Sequence, residues 1–483
     1  MSGQRLIEAT ISQVQEMMEK GELTSRELVL FYMEQIARHD KAGPALNAVL
    51  ELNPDAFHIA EALDHERQLR GPRGPLHGIP VLLKDNIDTA DKMHTSAGSL
   101  ALANSYAATD AFLVEKLRKA GAVILGKTNL TEFANFMTDN MPNGYSSRGG
   151  QVRNPYGPGR FDTGGSSSGS AVAVAANLAM VAVGTETSGS ILSPASSNSI
   201  VGIKPTVGLI SRSGIIPISF SQDTAGPMAR TVADAAILLG AMTGVDDSDA
   251  ATATSIGGAY EDYTPFLDAR GLEGARIGIA RTVYFASLDG DQLSLLEEAI
   301  QLLSQQGATV IDPVIIPSSS MKKDSTVMVH EFKPALHAYL RNLPAHWPIR
   351  TLQDVIRFNQ EHAEQALRHG QTILERSEAT SGTLTEPLYL ESRARDLYQS
   401  QTNGIDASMA EHQLDALVFP ANYGAGIAAK AGYPSITVPA GYTPDGKPLG
   451  ITFTGKAYSE PQLIRLAYAF EQASKRRVAP RLG

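Results

Sequence analysis

Cysteine is absent from this chain of 483 residues. That excludes disulfides, a thiolate nucleophile, thiolate-held zinc and iron–sulfur clusters. Charge is sparse as well. Asp, Glu, Lys and Arg make up 19% of the chain, below the usual ~25%. The 51 acidic residues outnumber the 41 basic ones, for a formal net charge of −10. This balance argues against nucleic acid or an anionic membrane as a partner. Long hydrophobic runs are missing too. The most apolar stretch, Ala171 to Val183, falls short of the ~20 residues a bilayer helix needs. The segment MSGQRLIEATISQVQEMM has no apolar h-region and no small-residue cleavage pattern, so the expected location is the cytoplasm.

What is present is core material and glycine. Hydrophobic residues reach 43%, and 43 residues are glycine, about 9% against an average near 7%. Residues 1–70 read as helices: Thr24 and Glu27 form a capping box ahead of Leu28, Val29, Tyr32 and Ile36. A second helix is expected from about Asp55 to Arg70. From Gly78 onward, short apolar runs suited to buried strands alternate with helices. The expected strands are Gly78–Leu83, Ala122–Leu125, Met180–Val183, Val201–Lys204, Ile215–Ile218, Ala275–Ala280, Leu414–Pro420 and Ser435–Pro439. Residues 320–410 are polar, amphipathic and helical, and hold five of the eleven histidines. Length alone suggests three domains at ~150 residues each. The texture instead reads as one large α/β core with an inserted helical region.

Three motif matches fail on context. Gly121 to Thr128 fits the Walker A pattern, yet Ala-Val-Ile-Leu between the glycines is a strand, not a phosphate loop. Gly165-Ser-Ser167-Ser-Gly169 fits a nucleophile elbow, but His330, His337, His346, His362, His369 and His412 mostly lie in helical, polar sequence. Gly424-x-Gly426-x-x-Ala429 resembles a dinucleotide fingerprint, with Pro434 leaving no room for its helix. No HExxH occurs, and His362 and His369 have no third ligand nearby. Neither a metal nor a cofactor is expected.

The glycine surplus gathers in two Gly/Ser turns, residues 163–170 and 184–190, around one helix–strand unit. Small residues let backbone N–H groups approach a ligand together, as an oxyanion hole requires. Without cysteine or a persuasive histidine, a hydrolase needs a hydroxyl nucleophile and another base. A lysine serves if burial brings its pKa from ~10.4 towards 7. Lys84, Lys127 and Lys204 all follow apolar strand runs, and this reasoning does not choose among them.

The stretch GGSSSGSAVAVAANLAMVAVGTETSGSILSPASSNSIVGIKPTVG, residues 164–208, resembles the signature of the amidase signature family. GIPVLLKDNID (78–88), GAVILGKTNLTEF (121–133), RNPYGPGR (153–160), GPMARTVADAA (226–236) and GYPSITVPAG (432–441) look like further family blocks in order. SFSQDTAGPM (219–228) is most similar to the peptide amidase branch. The resemblance implies a single large α/β/α domain, with a mixed, largely parallel central sheet covered by helices on both faces. Its parts would be N-terminal helices at 1–70, a signature core at 71–245, a variable and mainly helical insertion at 246–413, and a C-terminal part of the core at 414–483.

The same resemblance implies a serine amidase that cleaves carboxamide C–N bonds through an acyl-enzyme. Ser190 matches the nucleophile, Ser166 a bridging serine behind a cis peptide bond, and Lys84 the base. The N–H groups of Thr187, Ser188, Gly189 and Ser190 would hold the oxyanion. Asn143, Tyr145, Gln222 and Asp223 would border the substrate. Ser188 stands where many members carry glycine, which would be strained if that position needs a positive φ. The expected substrate is a peptide amide, losing its C-terminal amide as ammonia, with no obligatory protein partner. The alternatives are a glutaminase subunit of a tRNA-dependent amidotransferase and a non-catalytic binding module on the same fold.

Overall fold

A computed structural model describes residues 5–320, 324–344 and 346–482. Thirteen strands occur among the described residues. β1 (Val49–Leu52), β2 (Pro80–Lys84) and β3 (Val123–Thr128) precede a two-stranded hairpin of β4 (Tyr145–Ser146) and β5 (Gly150–Gln151). β6 (Val181–Glu186), β7 (Val201–Lys204) and β8 (Thr224–Ala229) follow the two Gly/Ser turns. β9 (Arg276–Ile279), β10 (Thr309–Ile311), β11 (Ala416–Pro420), β12 (Ser435–Tyr442) and β13 (Pro448–Thr454) complete the set.

Eleven strands form one sheet in the order β1-β3-β2-β6-β8-β7-β12-β13-β11-β9-β10. Parallel pairs form two blocks, β3–β2–β6 and β11–β9–β10. The junctions between β6 and β11 run antiparallel, as does the β1 edge. The sheet is mixed. β2, β3, β6, β8 and β11 are buried at every residue, which requires cover on both faces. That cover includes the helices Ser168–Ala175, Leu192–Ser197, Val232–Met242, Gly290–Gln305 and Glu460–Ser474.

Local chemistry accounts for the N-terminal elements. Thr24 accepts from the Glu27 N–H at 3.1 Å while Glu27 accepts from the Thr24 N–H at 2.8 Å, the reciprocal cap of the helix Ser25–Gln35. The helix Ala56–Arg70 starts after Asp55. Residues 246–413 carry β9 and β10 to the sheet edge, and their helices form a second apolar cluster. Phe332, Leu336, Leu340 and Val355 meet Phe133 and Met137 there.

The Walker-like stretch is strand β3, and its Gly126 is small for a packing reason. A Cβ there would stand 2.3 Å from the Glu51 carbonyl oxygen on the neighbouring β1. Two expectations need correction. Ile215–Ile218 is not a strand, because Pro217 interrupts it and its N–H groups go elsewhere, Ile216 to the Asn86 carbonyl at 2.8 Å and Ile218 to Asp223. After β11 a helix of seven residues, Ala425–Ala431, does fit before Pro434, closed by Gly432 in the left-handed conformation.

Candidate active site

Lys84 is the last residue of β2 and is fully buried. Its Nζ lies 2.8 Å from Ser166 Oγ, 3.0 Å from Ser167 Oγ, 2.9 Å from Thr185 Oγ1 and 3.2 Å from the Thr185 carbonyl oxygen. No carboxylate touches it among the described residues. Burial lowers its pKa to about 7, against the weaker pull of Glu186 and Asp223. Lys127 and Lys204 are equally buried. Lys127 bonds the Ile87 carbonyl and Thr95, and Lys204 bonds the Tyr433 carbonyl. Burial lowers both pKa values, that of Lys204 to about 8. Only Lys84 meets serine hydroxyls, so three-dimensional neighbours make the distinction that strand position could not.

Ser166 follows a cis peptide bond from Gly165. The turn is tightly enclosed: a Cβ on Gly165 would lie 2.6 Å from Asn143 Oδ1 and 2.7 Å from Thr131 Oγ1. Ser167 precedes the helix Ser168–Ala175. Its hydroxyl donates to the Thr185 carbonyl at 3.0 Å, and its N–H donates to the Ser190 carbonyl at 3.0 Å. This last bond ties the two Gly/Ser turns together. Ser190 lies between β6 and the helix Leu192–Ser197, 7% exposed. Its hydroxyl has no hydrogen bond among the described residues.

Glu186, at the end of β6, shapes the turn that carries Ser190. Its carboxyl group accepts from the N–H groups of Gly189 at 2.7 Å, Ile191 at 2.7 Å and Leu192 at 3.0 Å. Burial pushes its pKa up, and those three bonds oppose the rise. The Gly189 N–H, expected among the oxyanion donors, is therefore already engaged. The N–H groups of Thr187, Ser188 and Ser190 have no acceptor among the described residues. Ser188 keeps a negative φ, and the left-handed position falls on Gly189 at φ 87°. Serine at 188 is thus unstrained.

A cavity of about 660 Å³ opens beside Ser188 and Gln222, with Tyr284, Met328, Val329 and Ile427 on its walls. A second, of about 440 Å³, meets it at Ser188, Tyr284 and Tyr423. Of the expected substrate-binding residues, Gln222 lines the first cavity. The other three do not. Asn143 borders the cis turn and donates to Asp162 at 3.0 Å. Tyr145 packs edge-on against His369 at 4.6 Å, within the cluster around Phe332. Asp223 is held in place by three donors, accepting from Thr187 Oγ1 at 2.6 Å and from the Ile218 and Ser219 N–H groups at 2.7 and 2.8 Å.

Sequence reasoning missed Thr185, Glu186 and Glu331. The first two carried a signal, polar residues at the end of an apolar strand run beside the serine turn. Glu331 carried none. From the helix Thr326–Arg341 it accepts from the Ser221 N–H at 3.1 Å, from Tyr389 OH at 2.9 Å and from the Ser219 hydroxyl. Among the described residues, no group of three His, Asp or Glu side chains could hold a metal ion. No helix among them is long and apolar enough to cross a membrane.

The family model for Amidase matches residues 27–464. A probable amidase from Arabidopsis thaliana is 45% identical over 485 residues, covering 98% of this chain and 91% of its own. The crystal structure of peptide amidase from Stenotrophomonas maltophilia superposes with a TM-score of 0.94 at 50% identity, covering 98% of this chain and 99% of that one. A glutamyl-tRNA(Gln) amidotransferase chain from Halorhodospira halophila is 32% identical, over 96% of this chain and 97% of its own.

Proposed function

The chain belongs to the Amidase family, and on that premise we propose that it removes the C-terminal carboxamide of peptides as ammonia, with Ser190, Ser166 and Lys84 as its catalytic residues. That it is an amide-hydrolysing enzyme follows from the family and its relatives. The observation that carries the finer reading is the surroundings of the Lys84 amine, four oxygen atoms and no counter-ion.

Those partners give the amine a direction. The Ser167 hydroxyl spends its proton on the Thr185 carbonyl, so towards Lys84 it accepts. The Thr185 carbonyl can only accept. The two N–H groups of a neutral amine then point to Ser167 and the Thr185 carbonyl, and its lone pair faces hydroxyl protons, with Ser166 Oγ nearest at 2.8 Å. In this reading Ser166 passes its proton to Lys84 and takes the proton of Ser190, whose Oγ bonds to the substrate carbonyl carbon. The unengaged N–H groups of Thr187, Ser188 and Ser190 receive the oxyanion. As the carbonyl reforms, the C–N bond breaks. The relay runs back, Lys84 to Ser166 to the leaving nitrogen, and ammonia departs. Water then attacks the ester through the same relay and releases the carboxylate. The Ser190 and Ser166 hydroxyls share no hydrogen bond among the described residues, and catalytic hydrogen bonds often tighten only in the complex.

The identity to a peptide amidase over nearly the whole of both chains supports a peptide substrate. So does the size of the cavity beside Ser188. In the same proposal the enzyme works in the cytoplasm, without cofactor or obligatory partner chain. Residues 71–245 and 414–483 form its core, 1–70 pack on that core, 246–413 are a variable, mainly helical insertion, and 320–410 within it shape the mouth.

The test is turnover of amidated dipeptides, fatty and aryl amides and free glutamine by the purified chain, with ammonia as the readout. Release from amidated dipeptides above all others supports the proposal. Activity on glutamine alone favours the amidotransferase reading, and failure of a fluorophosphonate to label Ser190 revives the binding module.

A further inference from the structure

Asn86 stands two residues beyond Lys84 and is 2% exposed. Half of its side chain is satisfied. Nδ2 donates to Thr185 Oγ1 at 3.0 Å and to the Ile216 carbonyl at 3.4 Å. That carbonyl can only accept, which fixes the orientation of the amide. The other half, Oδ1, is buried with no partner. A buried acceptor left unpaired is costly, and such atoms are normally met by protein or water.

Beside it lies a cavity of about 20 Å³, lined by Asn86, Thr185, Thr187, Asp223 and Arg212 among others. One water needs roughly 10–15 Å³ and two or more polar partners. The space and its lining meet both conditions. Arg212 and Asp223 also line a larger cavity of about 590 Å³, from which water can be supplied.

We propose that this cavity is a water site, and that Asn86, held by that water, is a positioning residue that fixes the Thr185 hydroxyl against Lys84. The inference rests on Lys84 as the base of the proposed reaction. Thr185 Oγ1 has two lone pairs. The Asn86 N–H fills one, so the hydroxyl has one left to offer a charged Lys84. Removing that donor makes Thr185 a better acceptor for an ammonium and favours the charged, inactive lysine. The other groups around Lys84 are already engaged. Glu186 on β6 and Asp223 before β8 accept backbone and threonine donors. Asp85 pairs with Arg148 at 3.3 Å, and Lys127 on β3 bonds the Ile87 carbonyl.

The experiment is the pH profile of kcat/KM on an amidated dipeptide, together with a high-resolution crystal structure. The structure should show an ordered water within ~3 Å of Asn86 Oδ1. Asn86→Leu, which removes the donor without adding a charge, should move the acid limb up by a pH unit or more, about a tenfold loss below the limb, with the high-pH plateau within a few-fold of wild type. Thr185→Val, which removes the acceptor altogether, should move the limb the other way. A dry cavity, or a uniform fall in rate with both limbs unmoved, overturns the inference. If Lys84→Ala keeps full activity, the proposed function itself falls. If Lys84 is essential and the limbs stay put, only the role of Asn86 falls.

Discussion

The N–H of Gly189 donates to Oε1 of Glu186 at 2.7 Å, and this bond decides which face of the serine turn is open. With two further bonds to Ile191 and Leu192, one side chain closes the turn from behind. The N–H groups of Thr187, Ser188 and Ser190 carry no such bond among the described residues.

Glu186→Gln tests that relationship. A carboxamide has one acceptor oxygen and an NH₂ group that faces N–H donors, so at least one of the three bonds is lost. Turnover should fall by about 10²-fold, the usual loss for a disturbed oxyanion site, with little change in KM. Steady-state kinetics on an amidated dipeptide checks it.

Ser190→Ala and Lys84→Ala should each lower kcat by about 10³-fold or more, because residues that act as a unit fail together. The double variant should be no worse than the poorer single one. Additive losses in the double variant would argue against a shared relay.

The Lys84 pKa of about 7 sets a pH dependence with a definite sign. In the proposed reaction the amine acts when neutral, so kcat/KM should rise with pH through a limb near 7 and then level off. Stability follows the same linkage. The folded-state pKa lies below the unfolded value of ~10.4, so keeping this lysine buried costs stability at every pH below about 10. The cost grows as pH falls from 10 to 7 and is constant below. Lys84→Met should therefore be the more stable protein at pH 7, by a few kcal/mol, and the gap should close towards pH 10. Thermal unfolding across that range is the measurement.

Gly189 and Ser188 should respond in opposite ways. Gly189→Ala places a side chain at φ 87°, where its Cβ meets Asn422 Nδ2 at 3.1 Å. It should cost about 1–3 kcal/mol and most of the activity. Ser188→Gly relieves no strain and should leave turnover within a few-fold of wild type. Equal tolerance at both positions would mean that the turn is not held as described.

Several of these features are legible in the sequence, for physical reasons. Lys84 follows an unbroken Val-Leu-Leu run, so a buried strand end could be read directly. Thr24 with Glu27 is a cap at any reading. From the strand runs the choice among three lysines was not legible, since all follow similar runs and differ only in what faces them across the sheet; only the family resemblance points to Lys84. Strand β8 is not among the expected strands; it holds Gly226 and Pro227, which antiparallel pairing with β6 accommodates. Asp223 is expected at the substrate from the resemblance, but three donors hold it away from the first cavity. Residues 246–413 gave least, because amphipathic helices state which face is buried and not what they cover.

Among the described residues the lysine amine has no carboxylate partner, and this has a consequence for the solution conditions under which the enzyme works. Salt weakens charges that water can reach, over a Debye length of about 8 Å at physiological ionic strength. It acts little on a fully buried amine held by hydroxyls and a carbonyl. Turnover of an uncharged amide should therefore be nearly the same in dilute buffer and in molar sodium chloride, a tolerance that comes from having no ion pair to break.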